Sequence, residues 1–213
     1  MKSPRFAPLT GAIFVVLLVI GFIPLGGNTP GTDASAAKIT SFYNDHQTKE
    51  IVAIVVVALA ALFLALFAVA IRDYLRDTGG GEFWPTVALV GAAVGVAGLF
   101  VAGGMHFALI DGANLSHGRT LSPDAMVALN ALDNDNFLAF SVPLGIMLFG
   151  AAGAVLKGGA ALPKWMAWVG ILLGILFFTP VGFFGFGLTG IWIIIASILM
   201  YRRAGATAPA PAA

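Results

Sequence analysis

Six apolar stretches, separated by short segments that hold nearly every charge, constrain this chain more than any other feature. They run at about Phe6–Leu25, Ile51–Ile71, Trp84–Ile110, Phe137–Leu156, Trp165–Val181 and Gly185–Tyr201. A helix needs about 20 apolar residues to cross a bilayer. Of the 213 residues, 59% are hydrophobic and only 10% are Asp, Glu, Lys or Arg. A water-soluble fold could not cover its surface with so few charges. The fold class expected is therefore all-α: a polytopic transmembrane helical bundle of six spans, with residues 1–203 as a single domain. Residues 204–213 form an Ala/Pro-rich tail whose composition predicts disorder.

The last two spans need the tightest turn. Between Lys164 and Arg202 the chain must cross twice, and the run Gly182-Phe183-Phe184-Gly185-Phe186-Gly187 is the turn available. Pro180 helps to end the fifth helix. One continuous helix is the competing reading, but some 37 residues would reach over about 50 Å at a rise of 1.5 Å per residue.

Charge asymmetry predicts orientation. With the N-terminus inside, the inner segments carry Lys2, Arg5, Arg72, Arg76, Lys157, Lys164, Arg202 and Arg203, against the acids Asp73, Asp77 and Glu82. The outer segments carry Lys38, Lys49 and Arg119, against Asp33, Asp45, Glu50, Asp111, Asp124, Asp133 and Asp135. Both termini are then cytoplasmic. Trp84, Trp165, Trp168 and Tyr201 fall at the inner boundary, as in an aromatic belt. Ala34-Ser35-Ala36 has the small residues of a signal-peptide cleavage site, but it lies well beyond the apolar run, so an uncleaved first helix is expected.

Two outer loops are long enough to hold structure. Residues 26–49 predict a helix from about Ala34, with Ile39, Phe42, Tyr43 and His46 close to one face. In residues 111–136, Ser122-Pro123-Asp124 supplies an N-cap, a proline at the first helical position and an acid in the first turn. Met126, Leu129 and Leu132 follow at helical spacing, which predicts a short helix along the outer membrane surface. Gly91-x-x-x-Gly95 and Gly170-x-x-x-Gly174 permit close helix approach and are expected to pack helices within the chain. Asn114-Leu115-Ser116 fits a glycosylation acceptor.

The six spans hold no acid, Lys or Arg away from their ends, which argues against a proton relay, a voltage sensor or a midplane carboxylate. The hydroxyls within them are Ser141 beside Pro143, Thr179 beside Pro180, Thr189 and Ser197, read as helix kinks and hydrogen bonds between helices. The polar chemistry lies outside. His46, His106 and His117 all fall in the outer third, with Asp45, Asp111, Asp133 and Asp135. On a helix, His106 shares a side with Ala88, Ala92, Gly95 and Ala102, so it should point into the bundle.

Two readings of His106 compete. In one, His106 and Asp111, with His46 or His117, make a metal or acid–base site. In the other, His106 hydrogen-bonds a neighbouring helix and the acids are a solvated surface. Asp133-Asn134-Asp135-Asn136 resembles part of a calcium loop but lacks its glycine and distant acid. There is no cysteine, and no phosphate loop, nucleotide fingerprint or Ser/His/Asp constellation, so no cofactor, nucleotide or nucleic-acid partner is expected.

Phe42-Tyr43-Asn44-Asp45-His46, Arg72-Asp73-Tyr74-Leu75-Arg76, Ala128-Leu129-Asn130-Ala131-Leu132-Asp133 and the Arg202-Arg203 stop resemble uncharacterised multi-pass membrane proteins common in high-GC actinobacteria. The resemblance implies a bacterial plasma membrane and supplies no activity. The partners expected are the lipid bilayer and a membrane protein. The leading functional class is a binding, sensory or accessory subunit. The alternatives are a small transporter or channel between helices four and five, and an outer-face enzyme using His106 and Asp111.

Overall fold

The computed structural model describes residues 4–114, 121–159, 162–179 and 181–206, and side chains up to residue 203. His117, Arg119, Pro180, the end of the Asn114 glycosylation motif and the tail from residue 207 lie outside the described residues. The fold among them is all-helical. In chain order the helices are α1 (Thr10–Ile20), α2 (Ala36–Asp45), α3 (Gln47–Leu75), α4 (Phe83–Ala113), α5 (Pro123–Asp135), α6 (Phe137–Leu156), α7 (Lys164–Leu176) and α8 (Gly182–Ala206). A 3-10 turn, Ala7–Leu9, leads into α1, and a widened π turn, Gly21–Leu25, ends it around Pro24.

Among the described residues five helical runs are long and apolar enough to cross a membrane: Ala7–Leu25, Gln47–Gly80, Phe83–Ala113, Pro123–Leu156 and Gly182–Arg203. Their packing makes the case for a lipid environment stronger than composition does. On α3, Ala53, Val57, Ala60, Leu64, Phe67 and Ile71 are buried, while Val52, Val55, Leu59, Leu62, Leu66 and Val69 are exposed. The two stripes lie on opposite faces and both are apolar. A surface helix in water shows a polar outer face, so this exposed stripe fits hydrocarbon.

Helices α1, α3, α4, α6, α7 and α8 form a closed cycle, each packing on the next and α8 returning to α1. Phe14, Leu64, Phe67, Met147, Leu148, Trp192 and Met200 fill the inside. Glycine decides the closest approach. A Cβ at Gly91, Gly98 or Gly150 would run into backbone atoms of the facing helix, so α4 and α6 touch backbone to backbone. In the Gly170–Gly174 pair, Gly174 lies beneath the Phe149 ring, and the Trp192 indole N–H donates to the Met166 carbonyl at 2.9 Å. Both small-residue motifs therefore pack within the chain.

The hairpin α7–α8 replaces the single long helix. Its turn comes earlier than the glycine run: Gly182–Gly187 is already helical. The Thr179 hydroxyl donates to the Leu176 carbonyl at 2.7 Å, which helps to close α7. The glycines instead let α8 start hard against α7, with Leu176 Cβ 3.2 Å from where a Gly185 Cβ would stand. With 13 residues, α7 is about 20 Å long, shorter than a hydrocarbon core of about 30 Å.

The two ends of the bundle differ. At one, Phe6 stacks on Tyr201 with ring centroids 5.8 Å apart, so the first and last described helices finish together. Arg72, Arg76, Asp73, Asp77 and Glu82 form an ion-pair network there. At the other, α2, α5 and the 26–34 segment make a cap with its own small core of Ile39, Tyr43, Leu109, Ile110, Ala113 and Met126.

Candidate functional site

The site lies where the cap meets the bundle. Ser35 accepts from the Lys38 N–H and starts α2, and Ser122 accepts from the Ala125 N–H and starts α5 behind Pro123. Helix α5 is separated from α6 by Asn136 alone, so it continues the fourth apolar run instead of forming a separate surface helix. Its rotation also differs from the expected one. Met126 and Asn130 are buried and Leu132 is exposed, which places Asp133 one turn beyond Asn130 on the inward face. Asn130 donates to the Gly31 carbonyl at 3.0 Å and Asn134 to the Pro30 carbonyl at 3.2 Å. Two α5 amides thus tie down the loop that precedes α2.

His106 points inward, as its small-residue face predicts, and meets two carboxylates. Its Nδ1 lies 2.9 Å from Asp133 Oδ2 and its Nε2 lies 3.1 Å from Glu50 Oε2. One imidazole therefore joins α3, α4 and α5. The Glu50 side chain is 1% exposed, Asp133 13% and His106 16%. The Tyr43 ring meets the imidazole edge-on, with centroids 5.3 Å apart, and brings in α2. Burial pushes the Tyr43 phenol well above its ordinary value, and the Asp133 and Glu50 charges add to the rise.

The structure does not bring Asp111 or His46 to this point, and His117 lies outside the described residues. Asp111 is exposed, and five residues beyond His106 it stands about 140° round the helix. His46 is exposed, stacks on Phe42 at 4.5 Å, and its ring N–H donates to the Phe42 carbonyl. Among the described residues no group of three or more His, Asp or Glu side chains is arranged as a metal-ligand set. The hydroxyls inside the spans serve their own helices where they bond at all. Thr179 and Thr189 donate to carbonyls three and four residues back, while Ser141 and Ser197 are buried with no hydrogen-bond partner.

Glu50 is the residue that sequence reasoning missed. It reads as an outer-face charge just before the second span. The available signal was register: Glu50, Ala53, Val57, Ala60 and Leu64 fall on one face of α3, the face that is buried. Asp133 carried a weaker signal, seven residues after Met126 on α5.

No family model matches the chain, and no curated protein or solved structure matches it.

Chemically, the arrangement is closed. Both imidazole nitrogens are engaged, so neither offers a free lone pair to a metal or a substrate. An imidazole held between two carboxylates in a desolvated seam fixes the relative positions of three helices.

Proposed function

We propose that this chain is a six-span protein of a bacterial plasma membrane, with both termini cytoplasmic, that serves as a binding, sensory or accessory subunit through its outer cap. The carrying observation is the Glu50–His106–Asp133 seam, which joins cap to bundle instead of opening onto a substrate cavity. A groove on the cap, lined by Thr40, Ser41, Asn44, Asp45, Leu121 and Pro123, is the surface offered to a ligand or partner.

Three facts support the topology. The Phe6–Tyr201 stack joins the two ends of the described chain at one end of the bundle, which supports an even number of crossings with α7 as a short fifth span. The end that carries Arg72 and Arg76 has most of the basic residues, as the positive-inside rule requires of a cytoplasmic face. Trp84, Trp165 and Trp168 are exposed at that end, as in an interfacial belt.

The test has two parts. Amide hydrogen exchange on the detergent-solubilised protein should show residues 123–135 exchanging at least about tenfold faster in His106→Ala than in the parent, with α6 and α7 unchanged. Equal protection in both would remove the seam's role in holding the cap. An accessory subunit should also co-purify with a second membrane protein in mild detergent. A monodisperse lone species would count against that assignment.

A further inference from the structure

We propose that a groove between α4 and α6, at the end of the bundle away from the cap, binds one phospholipid of the phosphatidylethanolamine type. An acyl chain lies in the groove, the phosphate meets Lys157 and the headgroup ammonium meets Glu82. The groove holds about 440 Å³ and is lined by Glu82, Phe83, Thr86, Val87, Val90 and Ile146. That volume falls within the range of about 300–1,000 Å³ usual for ligand pockets. Its polar residues stand at one end only. Glu82 and Thr86 lie at the start of α4, while Val87, Val90 and Ile146 line the deeper part. From Glu82 to Val90 is about 12 Å along the helix, so the groove stays within one leaflet of a hydrocarbon core about 30 Å thick. Trp84, exposed beside the mouth, stands where an interfacial tryptophan marks headgroup depth. An apolar trough with a polar rim at that depth matches the two parts of a phospholipid.

Charge complementarity at the rim selects the headgroup. Lys157 ends α6, eleven residues after Ile146 and about 20° round the helix from it, so the two share a face. Its Nζ lies 3.3 Å from where a Gly81 Cβ would stand, which carries the amine to the residue before Glu82. The two charges nonetheless do not pair. The exposed Glu82 carboxylate reaches Arg72 and Arg76 at 3.5 and 3.8 Å, and Lys157 has no ion-pair partner among the described residues. The rim therefore offers an unpaired ammonium and a loosely held carboxylate. A phosphate and a primary ammonium complement both, through charge-assisted hydrogen bonds. A choline headgroup has no N–H for Glu82, and a glycerol headgroup brings no cation to it. The inference goes beyond the reading of the cap and its seam, and it needs only that the bundle stands in a bilayer.

The experiment is thermal unfolding of the full chain in detergent, with dioleoyl phosphatidylethanolamine, phosphatidylcholine or phosphatidylglycerol added at equal mole fraction. Phosphatidylethanolamine should raise the midpoint by about 3 °C or more and saturate with concentration, and the other two should raise it clearly less. Lys157→Ala and, separately, Val90→Trp, which fills the groove, should abolish the difference between the lipids, each variant being compared with its own lipid-free midpoint. Rises that are equal or absent in all three lipids overturn the site, because the bundle then meets only unselected bilayer lipid. That measurement needs no variant to fold. A rise largest with phosphatidylglycerol or phosphatidylcholine also overturns it, because the paired rim is then not what reads the headgroup. A preference for phosphatidylethanolamine retained in full by either variant does the same. None of these results bears on the hydrogen-exchange test of the cap, so the two readings fail separately.

Discussion

The two ends of the bundle handle charge in opposite ways. At the terminal end, Arg72 and Arg76 share Asp73, Asp77 and Glu82 over 3.3–3.8 Å, and several of these side chains are well exposed. At the cap end a single imidazole serves two carboxylates at 2.9 and 3.1 Å, with Glu50 almost wholly removed from solvent. The open network can lose a member and let water replace it. The closed one is far less able to, because Glu50 is almost wholly removed from solvent. Many ion pairs thus add little at one end, while two bonds at the other decide whether the cap is seated.

The comparison can be broken by substitution. His106→Ala leaves two desolvated carboxylates without a donor and should destabilise the protein by about 3–5 kcal/mol, read as a loss of unfolding free energy in detergent. An effect under about 1 kcal/mol would show that the seam is hydrated and the contrast between the ends is false. Gly98→Leu should follow, at about 1–3 kcal/mol or more, because its side chain would enter the Ala139 backbone and force α4 from α6. Loss confined to the cap, with α4 and α6 still packed, would contradict that account.

Trp192→Phe removes the 2.9 Å bond to the Met166 carbonyl and should cost about 1 kcal/mol or somewhat more. The smallest effect belongs to the terminal end: Arg72→Ala should change stability by about 1 kcal/mol or less, and salt should shrink the difference. A larger effect there than from His106→Ala would invert the comparison.

Tyr43 sharpens the comparison through pH. Its phenol is raised above 10.0 in the folded protein by burial and by the nearby acids. The unfolded chain therefore loses this proton first. The stability from keeping the phenol neutral is fully present below about pH 10 and declines as pH rises above it. Tyr43→Phe should flatten the alkaline arm of a stability–pH curve. An unchanged arm would mean that the ring is solvated.

The helices and their approximate limits were legible because hydropathy is local and additive. The fourth span, Phe137–Leu156, coincides with α6, and the third and sixth differ from α4 and α8 by a few residues. The α7–α8 turn was misplaced because glycine marks both turns and close helix contacts, and only the neighbour of Gly185 distinguishes them. The inward direction of His106 was also legible, from Ala88, Ala92 and Gly95 at helical spacing.

The partners of His106 were not. Asp111 is near in sequence but points elsewhere, whereas Glu50 and Asp133 are 56 and 27 residues away. Sequence alone determined that this chain is apolar enough to be embedded in hydrocarbon, roughly where its long helices lie, and which face of α4 turns inward. The tertiary structure decided that α5 rotates Asp133 beneath the cap, that α3 presents Glu50 from its buried face, and that both reach one imidazole. The physical reason is range. Solvent preference and helical period are set within a few turns of chain, while the rotation of one helix against another depends on glycine contacts and loop ties between distant residues.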